Sequence, residues 1–408
     1  MANPRRMEVT LSTRSAVDVA EWLERARSLA PLVEQWRNTA EDDRHMPLIL
    51  AGAMRERGLF ALWTPTSLGG PELPVEAVVL VMEELGRLDG SVSWNSMIST
   101  NHSILWSYLA PDVATACLEG GRTVIAGTIA GGGTVEAPGG GEAIPVPGGY
   151  RISGRWAFAS GCHHADWMIG NGRILENGGY RRAPQGNVAL FSFLMQPAEV
   201  EILDTWTTTG MKGTGSHDIE ATDIFVPAER VFPTLGAKAY QSSPLYRAVI
   251  SIPWCASIAG VALGIGRDAI DTFLEIGRTK SANMMSKVSL AERETAHKTV
   301  GECEGRLRSA RSFLLETSRL VDECIARGED IPNEVGALQR CAAANASLAA
   351  ADVTIAMFRL AGSTSFYATS RLDRCFRDVN TLTQHAVGGL AGATVSGRYW
   401  MGGPLTPI

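Results

Sequence analysis

What limits this chain most is a change of rhythm partway along it. Up to about residue 120 its apolar residues recur at helical spacing, as Val19, Trp22, Leu23, Ala26, Leu29, Val33 and Trp36 do. From about 121 to 238 glycine becomes dense and short runs alternate, and from about 239 onward the helical spacing returns. Strand and helix never alternate. That argues against a doubly wound parallel sheet and for an α+β chain in three parts, 1–120, 121–238 and 239–408. In the first part a second helix is expected over 47–57, and PTSLGGPELP at 65–74 reads as a loop. Helices resume from about Val75, break at Asp89-Gly90 and restart with Ser91 as N-cap. In the middle part Tyr150, Ile152, Trp156 and Phe158 share one face of an expected strand, with further strands over 188–194 and 219–226. The last part carries long helical patterns over 289–327 and 337–360.

With 408 residues, 45% hydrophobic and 20% charged, the chain can bury a sizeable core in two or three domains. A net charge of -6 argues against tracking a phosphate backbone. Seven cysteines, at 117, 162, 255, 303, 324, 341 and 375, are scattered with no C-x-x-C pair. That fits a reducing cytoplasm, and neither a disulfide framework nor a zinc site. MANPRRMEVT has no apolar stretch after its arginines, so no signal peptide is expected. Between Arg247 and Arg267 no residue is charged, close to the length of a bilayer span, but Ser251, Pro253, Ser257 and three glycines interrupt it. A helix buried in a bundle is the expectation there. The chain has no G-x-G-x-x-G after an expected strand, no P-loop, no H-E-x-x-H and no G-x-S-x-G. A nicotinamide therefore has no Rossmann unit to bind, and a common hydrolase class is disfavoured.

Three separated segments carry a resemblance: GGYRISGRWAFASGCHHADW at 148–167, DTWTTTGMKGTGSHDIEATDIFVPAERV at 204–231, and RLDRCFRDV at 371–379. The first two resemble the flavin-facing β domain of the acyl-CoA dehydrogenase superfamily, and the third its C-terminal Arg-Asp stretch. The helix–β–helix order extends the match over nearly the whole chain. The resemblance implies an N-terminal helical domain, a central β-barrel domain and a C-terminal four-helix bundle. Acyl-CoA dehydrogenases need a carboxylate base, which many carry shortly after the Arg-Asp pair. Here Arg377-Asp378 is followed by VNTLTQHAVGG, with no Glu and with His385 near that place.

The chain therefore looks more like the flavin-dependent hydroxylase branch, which holds oxygenase components of two-component systems and dibenzothiophene monooxygenases. That branch implies reduced FMN or FAD supplied by a separate NAD(P)H:flavin reductase. It implies addition of O2 at the flavin C4a to give a hydroperoxide, and oxygen transfer to a small aromatic or heteroatom-containing substrate. The Ala-rich C-terminal helices would pack against copies of themselves in a cytoplasmic homotetramer. An acyl-CoA dehydrogenase with bound FAD, or a silent scaffold of the same fold, would share the pattern.

The resemblance gives each candidate residue a role, with a plainer one beside it. Phe158 would pack on the isoalloxazine, and Ser160, on the same strand face, would donate to its N5/O4 edge; an ordinary aromatic core strand is the plainer reading. His385 would deprotonate a phenol or hold the distal hydroperoxide oxygen, roles that suit an unperturbed pKa of about 6.5. Its alternative is a helix-terminal histidine capping a carbonyl. His102 and Trp106, four residues apart on an expected helix, would line the substrate pocket, or His102 would be a satisfied core histidine. Trp206 and Ser216 flank the GMKGTG loop, with Trp206 lining the flavin site or buried for structure, while His217 is expected to face solvent. His163 and His164, beside Cys162, would point to opposite faces as strand neighbours and make no metal centre. Arg278 would reach the flavin phosphate of a neighbouring subunit, or form a surface ion pair. Gly362, Ser363 and Ser365 would cross over a neighbour's flavin.

Overall fold

Proline begins helices better than it continues them, and Pro31 splits the first apolar series into α1 (Val19–Arg27) and α2 (Ala30–Asp42). A computed structural model describes residues 19–118, 120, 122–128, 140–281, 288–388 and 391–405; the amino-terminal stretch and the glycine run at 131–133 lie outside them. Pro47 precedes α3 (Leu48–Glu56), and α4 (Val75–Leu88) starts where the 65–74 loop ends. The N-cap of α5 (Gly90–Ser103) is Asp89 rather than Ser91. Its carboxylate accepts from Ser91 and Val92 N–H at 2.9 and 3.2 Å, so one acid satisfies two first-turn amides. Next comes α6 (Pro111–Cys117).

The strands are β1 (Ile125–Gly127), β2 (Gly140–Val146), β3 (Gly149–Trp156), β4 (Trp167–Glu176), β5 (Gly179–Tyr180), β6 (Phe191–Met195), β7 (Glu201–Leu203), β8 (Asp218–Pro227) and β9 (Val231–Pro233). They run in the order β7-β8-β3-β2-β4-β6-β9, with β1 and β5 also paired to β4. Among the described residues no pairing joins β7 to β9, and short strands stand at both ends of this order. The strand expected from 188 starts at Phe191. Glycine is dense here because Trp156 lies flat against the sheet: a Cβ at Gly170 would sit 2.5 Å from its ring, and one at Gly141 2.6 Å. The indole N–H donates to Asn171 O at 2.6 Å, which fixes the ring.

The last part holds α7 (Ser251–Thr279), α8 (Glu294–Ala326), α9 (Asn333–Ala361), α10 (Arg371–Leu382) and α11 (Ala391–Trp400). The uncharged run is the buried first half of α7, as expected. It packs backbone to backbone with α4: a Cβ on Gly264 would meet Glu83 O at 2.3 Å, and one on Gly86 would meet Val261 O at 2.7 Å. Asp322 of α8 accepts from Val75 and Glu76 N–H at 2.7 and 2.9 Å, giving α4 a cap that Pro74 lacks. One apolar core accordingly includes residues of α4, α5, α7, α8, α9 and α10, so helices from both ends of the chain close over each other and hold the sheet between them in sequence.

Candidate active site

The strand that was expected to carry Phe158 and Ser160 on one face ends at Trp156. Phe158 has φ 66°, a left-handed backbone that an aromatic residue adopts only at a cost of about 1 kcal/mol or more. The turn is held by Ala159 N–H on His217 O at 2.9 Å and Gly161 N–H on Thr214 O at 3.0 Å. Its effect is to separate the two side chains. The Phe158 ring is thrown outward, 60% exposed, while Ser160 is buried. Trp206 stands at right angles to Phe158 with ring centres 6.3 Å apart, and its own N–H donates to Met211 O at 3.0 Å.

Behind the turn runs a line of hydroxyls. Trp94 Nε1 donates to Ser160 Oγ at 3.1 Å. Ser160 Oγ lies 2.7 Å from Ser216 Oγ, which lies 2.6 Å from Thr214 Oγ1, and that hydroxyl donates to Met211 O at 2.8 Å. His385 completes the group, its ring edge-on to Trp94 at 5.3 Å. Val387 N–H donates to His385 Nδ1 at 3.2 Å, so the neutral ring carries its proton on Nε2. Burial pushes this imidazole down to about 4. Thus Ser160, Ser216 and His385 are brought together, and Trp94, which joins them, is the residue that sequence reasoning missed. It stands on α5 two turns before His102, and that spacing was the available signal.

His102 lies two turns farther along α5 on the side that carries Trp94. The Ile125 carbonyl accepts from its ring, burial pushes it down to about 4, and Nδ1 has no partner among the described residues. Trp254 of α7 lies edge-on to it at 5.8 Å. Trp94, Ile98 and His102 thus form one face of α5, opposite Trp254 and Ile258 of α7, where Gly388 abuts Ile258. Trp106 is not on that face. The α-helix stops at Ser103, a 3-10 turn over Ile104–Tyr108 changes the angular step, and Trp106 enters a separate cluster with Leu105, Leu109 and Phe232.

The 204–217 segment is pinned from α10. Asp378 accepts from Met211 N–H at 2.6 Å, and Arg377 donates to Thr209 O at 2.8 Å. Burial, with the neighbouring Asp89 carboxylate, pushes the Asp378 carboxyl upward. His217 does not face solvent. It is buried, its Nδ1 accepts from Thr205 and Trp206 N–H at 3.2 Å each, and burial pushes its pKa down. Its task is to shape the loop that presents Trp206. His163 rests on His45 and His217, and His164 is enclosed beside Phe60, with burial the main cause that lowers both.

Arg278 and the 362–365 segment lie near each other rather than with Ser160. Lys280, two residues on from Arg278, donates to Ala361 O at 2.5 Å. Arg278 is exposed and forms no ion pair among the described residues. Gly362 and Ser363 are exposed. Ser365 is buried, and its hydroxyl donates to Phe358 O and Gly362 O at 2.8 and 2.6 Å, closing the end of α9.

A strained turn that points a phenyl ring outward, beside a perpendicular indole and above a buried hydroxyl, gains nothing from the chain's own packing. It fits a planar, polar-edged aromatic ligand such as a flavin. Comparison with known proteins agrees. Residues 18–111 match the acyl-CoA dehydrogenase N-terminal domain and residues 256–388 the acyl-CoA dehydrogenase C-terminal domain. The chain is 29% identical to an indole-3-acetate monooxygenase of Pseudomonas putida over 347 residues, covering 85% of each. It is 29% identical to an FADH(2)-dependent resorcinol hydroxylase, oxygenase component, of a Rhizobium species, over 71% of each chain. Its fold is similar to that of XiaF from a Streptomyces species, solved with FADH2 and glycerol, with a TM-score of 0.85, 25% identity and 96% of each chain covered.

Proposed function

Because this chain belongs to the acyl-CoA dehydrogenase superfamily, in its flavin-dependent monooxygenase branch, we propose a division of labour among its own residues. The protein is the oxygenase component of a flavin-dependent monooxygenase, working with reduced flavin, a reductase partner and a small-molecule substrate. Bound reduced flavin supplies the electrons that activate dioxygen.

Phe158 and Trp206 hold the ring system, and Ser160 meets its polar edge. Two neutral histidines of opposite polarity carry the reading. His385 offers Nε2–H as a donor, and His102 offers a bare, buried Nδ1 as an acceptor. A buried acceptor without a partner costs about 1–3 kcal/mol, and a substrate N–H or O–H relieves that cost. Trp94, Ile98, Trp254 and Ile258 wall the space between them and keep water out. The substrate class this favours is an electron-rich aromatic ring bearing O–H or N–H. Indole-3-acetate and resorcinol, named for two relatives, both have such a group. The reductase would use NAD(P)H, since this chain has no dinucleotide fingerprint of its own. The assembly would be a homotetramer in which Arg278, exposed and unpaired among the described residues, reaches a neighbour's flavin phosphate.

The test is stopped-flow mixing of protein and anaerobically reduced FMN with oxygen, with and without resorcinol or indole-3-acetate. We expect a transient absorbance distinct from both reduced and oxidised flavin, shortened in Ser160→Ala. His385→Ala is expected to keep the transient and lose product. His102→Ala is expected to lose product formation by about 100-fold, the lower range for a positioned acid or base. Direct reoxidation with no transient in the wild-type protein would remove the proposal.

A further inference from the structure

We propose that Thr214 and Ser216 set the redox preference of the flavin site, by turning Ser160 into an acceptor for the N5–H of reduced flavin. The proposal rests on the flavin reading above and adds to it two residues that touch no reactant. A backbone carbonyl can only accept and an indole N–H can only donate, so the two ends of the hydroxyl line fix its direction. Thr214 donates to Met211 O at 2.8 Å, and therefore accepts from Ser216 at 2.6 Å. Ser216 in turn accepts from Ser160 at 2.7 Å, and Ser160 accepts from Trp94 at 3.1 Å. With its proton committed inward, Ser160 keeps one lone pair for the ligand, so it accepts where the sequence resemblance has it donate. Ser160, Thr214 and Ser216 are all buried, so solvent does not substitute for a lost partner.

Flavin chemistry supplies the other half. Reduced flavin has a hydrogen on N5 and donates; oxidised flavin has a bare N5 and accepts. The reduced form completes the line as it stands. The oxidised form either faces a lone pair or forces all three hydroxyls to rotate outward, and then Met211 O loses Thr214 as a donor. In either polarity the line holds one hydrogen bond fewer than with reduced flavin. No heavy atom moves between the two states.

In Thr214→Val, Ser216 has no inward acceptor left. In Ser216→Ala, Ser160 has none. Each change removes the one-bond advantage, and Thr214→Ser retains it. The experiment is anaerobic titration of each variant with oxidised FMN and with dithionite-reduced FMN, followed by quenching of tryptophan fluorescence, with a thermal melt of each variant. We expect the ratio of affinities, reduced over oxidised, to fall about two- to tenfold in both Thr214→Val and Ser216→Ala, the size of one neutral hydrogen bond, and to be kept in Thr214→Ser. The two substitutions are independent, so one misfolded variant leaves the other to decide. An unchanged ratio in the folded variant or variants overturns this proposal and leaves the function standing. Failure of the wild-type protein to bind either form overturns both.

Discussion

His385 and His102 are ordinary residues in unusual surroundings, and their surroundings set the pH at which they work. Burial holds both near 4 instead of 6.5, so both stay neutral through the range in which an exposed histidine would charge. Product yield per flavin oxidised is therefore expected to be flat from pH 7.5 to about 5.5 as far as these rings are concerned. An acid limb near 6.5 that disappears in His385→Ala would contradict this. The same shift carries a stability cost. The unfolded chain takes up these protons below about 6.5 while the folded chain does so only below about 4. Each ring thus removes up to about 3 kcal/mol of stability as pH falls through that window, and removes nothing above it. His385 was visible in sequence as the group standing where a carboxylate base was absent. The opposed polarity of the two rings was not, because a tautomer is set by neighbours such as Val387 and Ile125 that no motif encodes.

Among the elements, α5 and α10 position the site, and α4 and α7 fix α5. The glycines between α4 and α7 bring the helix backbones together, and there a single methyl group has nowhere to go. Gly264→Ala would put a Cβ 2.3 Å from Glu83 O, against backbone that cannot rotate aside. We expect it to lower unfolding free energy by about 3 kcal/mol, measured by urea denaturation, with Gly52→Ala, which meets nothing within 4 Å, as the control. Equal stability of the two variants would show that the contact is not needed. The helices themselves were legible from their spacing. Their partnership was not, since α4 and α7 are separated by the whole sheet, and periodicity reports which face is apolar without saying what covers it. The strand at 149–156 shows the opposite failure. Alternation was extended four residues too far, to Ser160, because nothing in the letters around Phe158 announces a left-handed turn that His217 and Thr214, some 60 residues on, hold.

On the scale of the whole molecule, exposed Arg278 and the stacked pair Phe366 and Tyr367, each 61% exposed, lie on segments adjoining Lys280 and Ala361. Such features suit burial against another copy. Light scattering after gel filtration is expected to give about four times 43.6 kDa. Arg278→Ala is expected to weaken reduced FMN binding about tenfold with an unchanged melting temperature. A monomer that binds reduced FMN as tightly as the assembled wild-type protein does would sink the shared site. The clamp from α10 onto Met211 has a wider consequence. Asp378 holds one side of that residue while the hydroxyl line ends on the other, so the loop that carries the line is tied to α10 by the polypeptide itself. A reduced coenzyme then meets a loop whose shape does not depend on its arrival.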